Sequence, residues 1–285
     1  MKVAVTGATG FVGRHVVAEL ERCSLDPTLM LSPESPSPTA LAKHAISRVD
    51  LANPPPNTFE LLGRPDVLIH LAWRGLPNYT SLHHFESELP VQYNFIRGLV
   101  ASGLSNIVIA GTCFEYGTQS GPLSEYTDTK PATPYGFAKN CLQRQLWYLK
   151  NELKHDGLSL ALTWARLFYL YGEGQTEKSL FPQIRKAAER GDTKFNMSRG
   201  EQLRDYLPVT EAASALVALA VTGRDNGVVN VCSGRPVSIR RLVEGWIEDN
   251  GWHIGLNLGY HPYPDYEPMA FWGDRRKLDR CLGER

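Results

Sequence analysis

Cysteine is scarce and unpaired in this chain. Its five cysteines, Cys23, Cys113, Cys141, Cys232 and Cys281, are odd in number and never stand in a C-x-x-C pair. That excludes the usual zinc and dithiol motifs and leaves reduced, mostly buried thiols. Neither sign of charge is in excess, since 30 Lys and Arg balance 30 Asp and Glu. No global field draws the protein to nucleic acid or to an anionic membrane, so any anion site is local. Long hydrophobic runs are missing as well. The opening Val3-Ala4-Val5 reaches Gly7 too soon for a secretion signal or a membrane span, and the expectation is a cytoplasmic protein with no membrane partner. The sequence also lacks an internal repeat, a heptad seam and a G-x-S-x-G elbow. Adjacent His83 and His84 read as solvated loop side chains, and no metal site is expected.

What is present is a hydrophobic content of 42% in 285 residues, enough to bury a full core. Residues 2–6 read as a buried strand, and the glycine-rich turn after them leads into 11–21, whose apolar positions recur at helical spacing. Strand-like runs at 28–31, 67–71, 106–110 and 160–167 then alternate with helical stretches at 91–102 and 137–154. This alternation predicts an α/β fold built on a doubly wound parallel sheet. The prolines at 33, 36 and 38 and the run Pro54-Pro55-Pro56 suit surface connections. Beyond about residue 170 the pattern loosens into a helix at 210–222, a short strand at 228–232, a helix at 238–248 and an aromatic tail. The expected division is a larger domain over 1–170 and a smaller C-terminal lobe over 171–285, with the chain crossing between the two.

Gly7, Gly10 and Gly13 form G-x-x-G-x-x-G directly after a strand and at the opening of a helix. The first suits a tight turn, the second the close approach of a pyrophosphate, and the third close packing of helix on strand. The helix N-terminus then faces the phosphates. A tight turn with no ligand would share the glycines, but the strand-turn-helix context marks the dinucleotide-binding fingerprint of a Rossmann fold. Gly7, Thr9, Gly10, Phe11, Val12 and Gly13 are its expected cofactor contacts. At the end of the second strand an acidic residue would hold the adenosine 2′-hydroxyl, yet here Leu29-Met30-Leu31 runs into Ser32-Pro33. The missing acid favours NADP(H) over NAD(H), with Ser32 beside the ribose. Against that, no arginine is expected beside Ser32 to receive a 2′-phosphate, and Glu34 stands close by.

Tyr135 and Lys139 are four residues apart, on one face of a helix, where the ammonium would lower the phenol pKa and let it pass protons near neutral pH. Alone, the pair reads equally well as an aromatic ring packed on a lysine stem. Further segments change that: His70-Leu71-Ala72-Trp73, Gly111-Thr112-Cys113-Phe114-Glu115-Tyr116-Gly117, Arg166-Leu167-Phe168-Tyr169-Leu170-Tyr171-Gly172 and Arg204-Asp205-Tyr206-Leu207-Pro208-Val209. In order along nearly the whole chain, they resemble the motifs of the extended short-chain dehydrogenase/reductase family, the NAD-dependent epimerases and dehydratases of nucleotide sugars. The resemblance implies hydride transfer at a carbinol carbon. In it Tyr135 is the acid/base, Lys139 holds the nicotinamide ribose, and Thr112 hydrogen-bonds the reacting oxygen. It also implies Asp50 and Leu51 by the adenine, Leu71, Ala72 and Trp73 along the cofactor, and Phe168 near the nicotinamide. Arg204 would meet the substrate diphosphate with its guanidinium fork. Trp73, Arg74, Cys113, Phe114, Tyr169 and Leu180 fall on the substrate side.

Selectivity is expected from the connections at 74–85 and 172–180 and from a tail holding Tyr263, Phe271 and Trp272. In that tail the family often has a second phosphate-binding arginine, where this chain offers Tyr263, Pro264, Asp265 and Tyr266. Asn94 reads as a buried structural amide. Family helices matching 91–102 and 137–154, the second carrying Leu142, Leu146 and Leu149, commonly form a homodimer. Dehydratases follow the catalytic threonine with Asp and Glu; Cys113 and Phe114 stand here, so elimination is not expected unless a turn returns Glu115 to the site. The absent acid at Ser32, and Tyr169 in place of Asn, resemble reductases of nucleotide-linked 4-keto-6-deoxyhexoses. The expected reaction is therefore NAD(P)H-dependent 4-ketoreduction of a nucleotide sugar. A 4-epimerase with retained NAD is the alternative. A non-catalytic dinucleotide sensor is the third reading, opposed by intact Thr112, Tyr135 and Lys139.

Overall fold

The computed structural model describes residues 1–36, 38–263 and 268–283. Strand β1 (Val3–Thr6) enters the glycine-rich turn and helix α1 (Phe11–Arg22). Strands β2 (Thr28–Leu31) and β3 (Ile46–Arg48), the single-turn α2 (Thr58–Leu61), β4 (Val67–His70), α3 (Leu89–Ala101) and β5 (Asn106–Thr112) follow. Next come β6 (Gly121–Leu123), α4 (Pro134–His155), β7 (Ala161–Leu167), β8 (Tyr169–Tyr171), α5 (Leu180–Glu189), β9 (Lys194–Asn196), β10 (Leu203–Arg204) and β11 (Tyr206–Pro208). The chain closes through α6 (Val209–Val221), β12 (Gly227–Val231), β13 (Val237–Ser238), α7 (Ile239–Asn250), β14 (Gly255–Asn257), β15 (Phe271–Gly273) and α8 (Arg276–Leu282).

Seven strands form one parallel sheet in the order β12-β7-β5-β4-β1-β2-β3. Strands β4 and β5 are buried along their whole length, because helices cover both faces. Helices α1, α6 and α8 pack on one side through Val16, Val17, Leu216 and Leu278. Helices α3 and α4 pack on the other through Phe95, Ile96, Leu142 and Leu146. The strand order reverses between β1 and β4, which opens a crevice at the carboxyl ends of those strands. The doubly wound Rossmann sheet is therefore the observed architecture.

The chain after residue 171 serves two layers. Strand β12 pairs with β7, Val231 opposite Leu167, and α6 lies in the first layer. Helices α5 and α7 and the β9/β14 pair surround a separate core of Ile184, Phe195, Met197, Val243 and Trp246. Buried Asp205 bolts three segments together: its carboxylate accepts the backbone N–H of Ser233 at 2.7 Å, Gly234 at 2.9 Å and Gly273 at 3.2 Å.

Two sequence expectations change here. Asn94 is exposed, and the buried amide of α3 is Gln92, since Gln92, Phe95, Ile96 and Leu99 form its inward stripe. The cysteines are all free, but only Cys113 and Cys232 are buried; Cys23 is exposed at the C-cap of α1 and the other two are half-buried. Among the described residues no helix is long and apolar enough to cross a membrane.

Candidate active site

The phosphate turn is shaped by backbone approaches that side chains would block. Gly7 has φ 72°, and a Cβ there would lie 2.8 Å from the Ala72 nitrogen. A Cβ at Gly13 would lie 2.0 Å from the Gly7 carbonyl oxygen. The first glycine thus lets the chain leaving β4 pass close by, and the third seats α1 against the turn. Gly10 caps α1 with no side-chain hydrogen bond, so no side chain claims the first N–H groups of the helix. This cradle fits the pyrophosphate of a dinucleotide.

A buried polar chain holds the neighbouring strand end. The Thr6 hydroxyl oxygen accepts the backbone N–H of both Leu71 and Ala72 at 3.2 Å. It donates to His70 Nδ1 at 2.9 Å, and His70 Nε2 in turn donates to the Gln92 amide oxygen at 2.5 Å. Gln92 donates onward to the Ala72 carbonyl at 3.1 Å and to buried Glu88 at 2.6 Å, and Glu88 also accepts the Arg74 N–H at 3.0 Å. Burial keeps His70 neutral, its pKa pulled down to about 4.

Strand β5 ends at Thr112, and a short 3₁₀ turn over Cys113–Tyr116 follows. Thr133 caps α4 by accepting the Gly136 N–H at 3.1 Å. A Cβ at Gly136 would lie 2.5 Å from the Phe114 carbonyl oxygen, so this glycine lets the start of α4 meet the 3₁₀ turn. Tyr135 and Lys139 then share a face beside Thr112. Lys139 is buried; its Nζ donates to the Ala110 carbonyl at 2.7 Å and lies 3.9 Å from the Trp73 ring centroid. Burial pulls its pKa down to about 7, while the negative charges of Glu115 and Glu88 oppose that fall.

The expected lowering of the Tyr135 pKa is not found. Burial pushes it up, Tyr79, Glu115 and Cys113 add in the same direction, and only a hydrogen bond with Thr112 opposes them. Desolvation dominates because the ring is packed among Trp73, Tyr79, His84 and Phe114. Tyr135 is held as a neutral acid.

Glu115 does not return to the site. It is buried, and its carboxylate accepts the Thr112 N–H at 2.9 Å, the Trp164 indole N–H at 2.9 Å and Arg166 Nε at 2.8 Å. The Arg166 guanidinium lies 4.5 Å from the Tyr116 ring. Glu115 is the anchor of the 3₁₀ turn that carries Cys113 and Phe114.

These elements border a cleft of about 630 Å³. Of the residues expected from sequence, Gly7, Gly10, Phe11, Val12, Gly13, Leu71, Trp73, Thr112, Cys113, Phe114, Tyr135, Lys139, Phe168, Tyr169 and Leu180 line it. Thr9, Ser32, Asp50, Leu51, Ala72, Arg74 and Arg204 stand outside its walls. Asp50 and Arg74 pair with each other at 2.8 Å. Buried Arg204 stacks 4.9 Å from the Phe271 ring and donates to the Leu203 carbonyl. Trp272 borders a different, polar hollow, Tyr263 reaches Glu201 at 2.7 Å, and Pro264, Asp265 and Tyr266 lie outside the described residues. Ser32 is not without an arginine: Arg48, delivered by the β2/β3 register, donates to the carbonyls of Ser32, Pro33 and Ser35 at 2.9 to 3.1 Å. Sixteen residues of sequence separate the two, so only strand pairing brings them together.

The far wall is built of rings that sequence spacing does not single out. Tyr171, Phe181, Tyr206 and Trp246 line it, with Tyr171 and Phe181 5.3 and 5.0 Å from the Trp246 ring and Tyr206 5.2 Å from Tyr169. Tyr79 lies 5.5 Å from Tyr135 on the near side. Tyr206 was visible within its motif, but nothing in the spacing of Phe181 or Trp246 separates a cleft ring from a core ring. His84, expected in solvent, is fully buried against Trp73 and Tyr135. Among the described residues no His, Cys, Asp and Glu gather into a metal site.

The sequence matches the NAD dependent epimerase/dehydratase family over residues 3–232. The chain belongs to that family. Among curated relatives, a dTDP-6-deoxy-L-talose 4-dehydrogenase (NAD(+)) of Aggregatibacter actinomycetemcomitans is 29% identical over 274 residues, covering 96% of this chain and 99% of the relative. An uncharacterized UDP-glucose epimerase of Bacillus subtilis (strain 168) is 25% identical, covering 99% and 92%. Among solved structures, MoeE5 in complex with UDP-glucuronic acid and NAD superposes with a TM-score of 0.83 at 25% identity, covering 100% of this chain and 93% of that one.

Proposed function

We propose that this family member reduces a nucleotide-activated 4-keto-6-deoxyhexose to the corresponding deoxysugar nucleotide at the expense of NAD(P)H. The observation that carries the reading is that Tyr135, Thr112 and Lys139 border one cleft together with the glycine turn. A neutral acid there is the state needed to protonate a ketone oxygen. The glycine cradle and Lys139 would hold the dinucleotide, whose reduced nicotinamide supplies the hydride for the carbonyl carbon. Tyr135 gives its proton to the carbonyl oxygen, Thr112 hydrogen-bonds that oxygen, and the Lys139 ammonium stabilises the phenolate left behind until solvent returns its proton. The 6-deoxytalose 4-dehydrogenase relative, whose named reaction runs in the oxidising direction at the same carbon, supports this reading.

NADP(H) is the favoured cofactor form, supported by the missing acid at Ser32 and by Arg48 at the same strand end. The NAD(+) in the relative's name favours the opposite choice. The second reading is a nucleotide-sugar 4-epimerase with tightly held NAD, favoured by the epimerase among the relatives. Exposed Trp147 and Tyr148 on α4 support a homodimer through α3 and α4, which light scattering tests: Trp147→Glu is expected to yield a monomer.

The deciding experiment mixes purified protein with NADPH or NADH and dTDP-, CDP- and GDP-linked 4-keto-6-deoxyhexoses while absorbance of the reduced nicotinamide is followed. Stoichiometric loss with one sugar supports the ketoreductase and names the cofactor. No loss with any sugar, together with NAD⁺ released on denaturation, transfers the assignment to the epimerase.

A further inference from the structure

The loop after β4 carries a pair of rings that the catalytic assignment leaves unused. Trp73 presents its face to Lys139 Nζ, 3.9 Å from the ring centroid. Its indole N–H donates to His84 Nδ1 at 3.0 Å. An indole nitrogen only donates, so Nδ1 of His84 is an acceptor. The ring hydrogen is therefore on Nε2, which donates to the Asn78 carbonyl at 2.7 Å. Both nitrogens of this fully buried histidine are committed. Its ring also lies 5.2 Å from that of Tyr135, so the pair touches both catalytic side chains of α4.

Lys139 has a need that this pair answers. Its ammonium is buried and donates to one backbone carbonyl, and among the described residues no carboxylate forms an ion pair with it. The acids that face it are held by other donors: Glu115, from the turn after β5, by Thr112, Trp164 and Arg166, and Glu88, ahead of α3, by Gln92 and the Arg74 N–H. Tyr135 on its own helix and His70 at the end of β4 are neutral. A desolvated cation without a counter-ion gains most from an aromatic face. The indole face does that work only while its tilt is held, and His84 holds it.

We propose that His84, acting through Trp73, is a positioning residue that keeps the Lys139 ammonium charged and aimed into the cleft. The inference deepens the reading of Lys139 given above and rests on it. Its test is a ¹³C NMR titration of the lysine methylene next to Nζ in lysine-labelled full-length protein, with Lys139→Met identifying the resonance. In His84→Phe, which keeps a ring but loses the acceptor, the Lys139 pKa is expected to fall by about one unit. The same fall is expected in Trp73→Phe, which loses the N–H and covers the case in which His84→Phe does not fold. His84→Gln, whose amide oxygen accepts from the indole, is expected to recover at least half of the shift. An unchanged Lys139 pKa in both Phe variants overturns the proposal even if turnover falls. An equal shift in His84→Gln and His84→Phe would reduce His84 to packing and overturn its part. Because the titration uses no sugar, a shift in a protein that reduces no 4-keto sugar faults the ketoreductase reading and leaves this one standing.

Discussion

The two walls of the cleft are built from different material. On the cofactor side the surface is largely backbone: three glycines, the strand ends of β1 and β4, and a buried Thr6-His70-Gln92-Glu88 chain that fixes where that backbone lies. On the far side the surface is aromatic side chain, with Tyr169 and Tyr171 from β8, Tyr206 from β11, Phe181 from α5 and Trp246 from α7. A backbone wall tolerates almost no substitution, because added atoms meet main chain that cannot step aside. A ring wall loses contact area and adapts. The difference suits the proposed division of the cleft, a dinucleotide on the backbone wall and a variable second ligand on the ring wall.

The sharpest break is expected at the centre, where the walls meet. Tyr135→Phe removes the proton donor and should lower turnover by about 10²- to 10⁴-fold, with dinucleotide affinity unchanged by isothermal calorimetry. Retained turnover would remove the catalytic assignment. Next is the backbone wall itself. Gly13→Val drives a side chain into the Gly7 carbonyl and is expected to weaken dinucleotide binding by about a hundredfold or more, roughly 2.7 kcal/mol. Gly10→Val, whose Cβ would lie 3.1 Å from the same oxygen, should cost less in packing and act chiefly by occupying the pyrophosphate's space.

The polar supports behind the two walls give effects on stability. Glu115→Gln leaves the buried Arg166 guanidinium without its charge partner, and a loss of about 3–5 kcal/mol is expected in urea unfolding. His70 sharpens the comparison through pH. Its pKa is about 4 in the fold and near 6.5 when unfolded, so the unfolded chain binds the extra proton in between. Stability is then fully present above pH 6.5 and falls toward pH 4 by about 3 kcal/mol from this group. Urea midpoints measured across that range should lose this slope in His70→Asn; an unaltered slope would show that other groups set the acid limb. The smallest effect belongs to the aromatic wall. Phe181→Leu should raise the KM for the nucleotide sugar by a few-fold to about tenfold while dinucleotide affinity stays put. A fall in dinucleotide affinity instead would mean that the walls are not separate.

Legibility follows the same division. The glycine triplet, the strand-end motifs and the Tyr135/Lys139 spacing are short-range patterns whose meaning lies in a few consecutive residues, and each borders the cleft. Arg48 beside Ser32 escaped because a parallel strand pair, not sequence neighbourhood, joins them. His84 was misread as solvated because burial of a loop side chain depends on what folds over it, here Trp73 and Tyr135. The sign of the Tyr135 shift also escaped, since spacing reveals the nearby ammonium but not the depth of the phenol.

By itself the sequence determined the layered α/β sheet, the glycine turn at the end of its first strand and the spacing that sets Tyr135 and Lys139 on one helix face, because periodicity, turn chemistry and helical spacing are local properties of the chain. Only the tertiary structure decided that Glu115 is an anchor, that the Tyr135 phenol stays protonated, and that rings from four separate elements form one wall. Those properties are desolvation and contact between segments far apart in the chain, and neither exists until the segments pack.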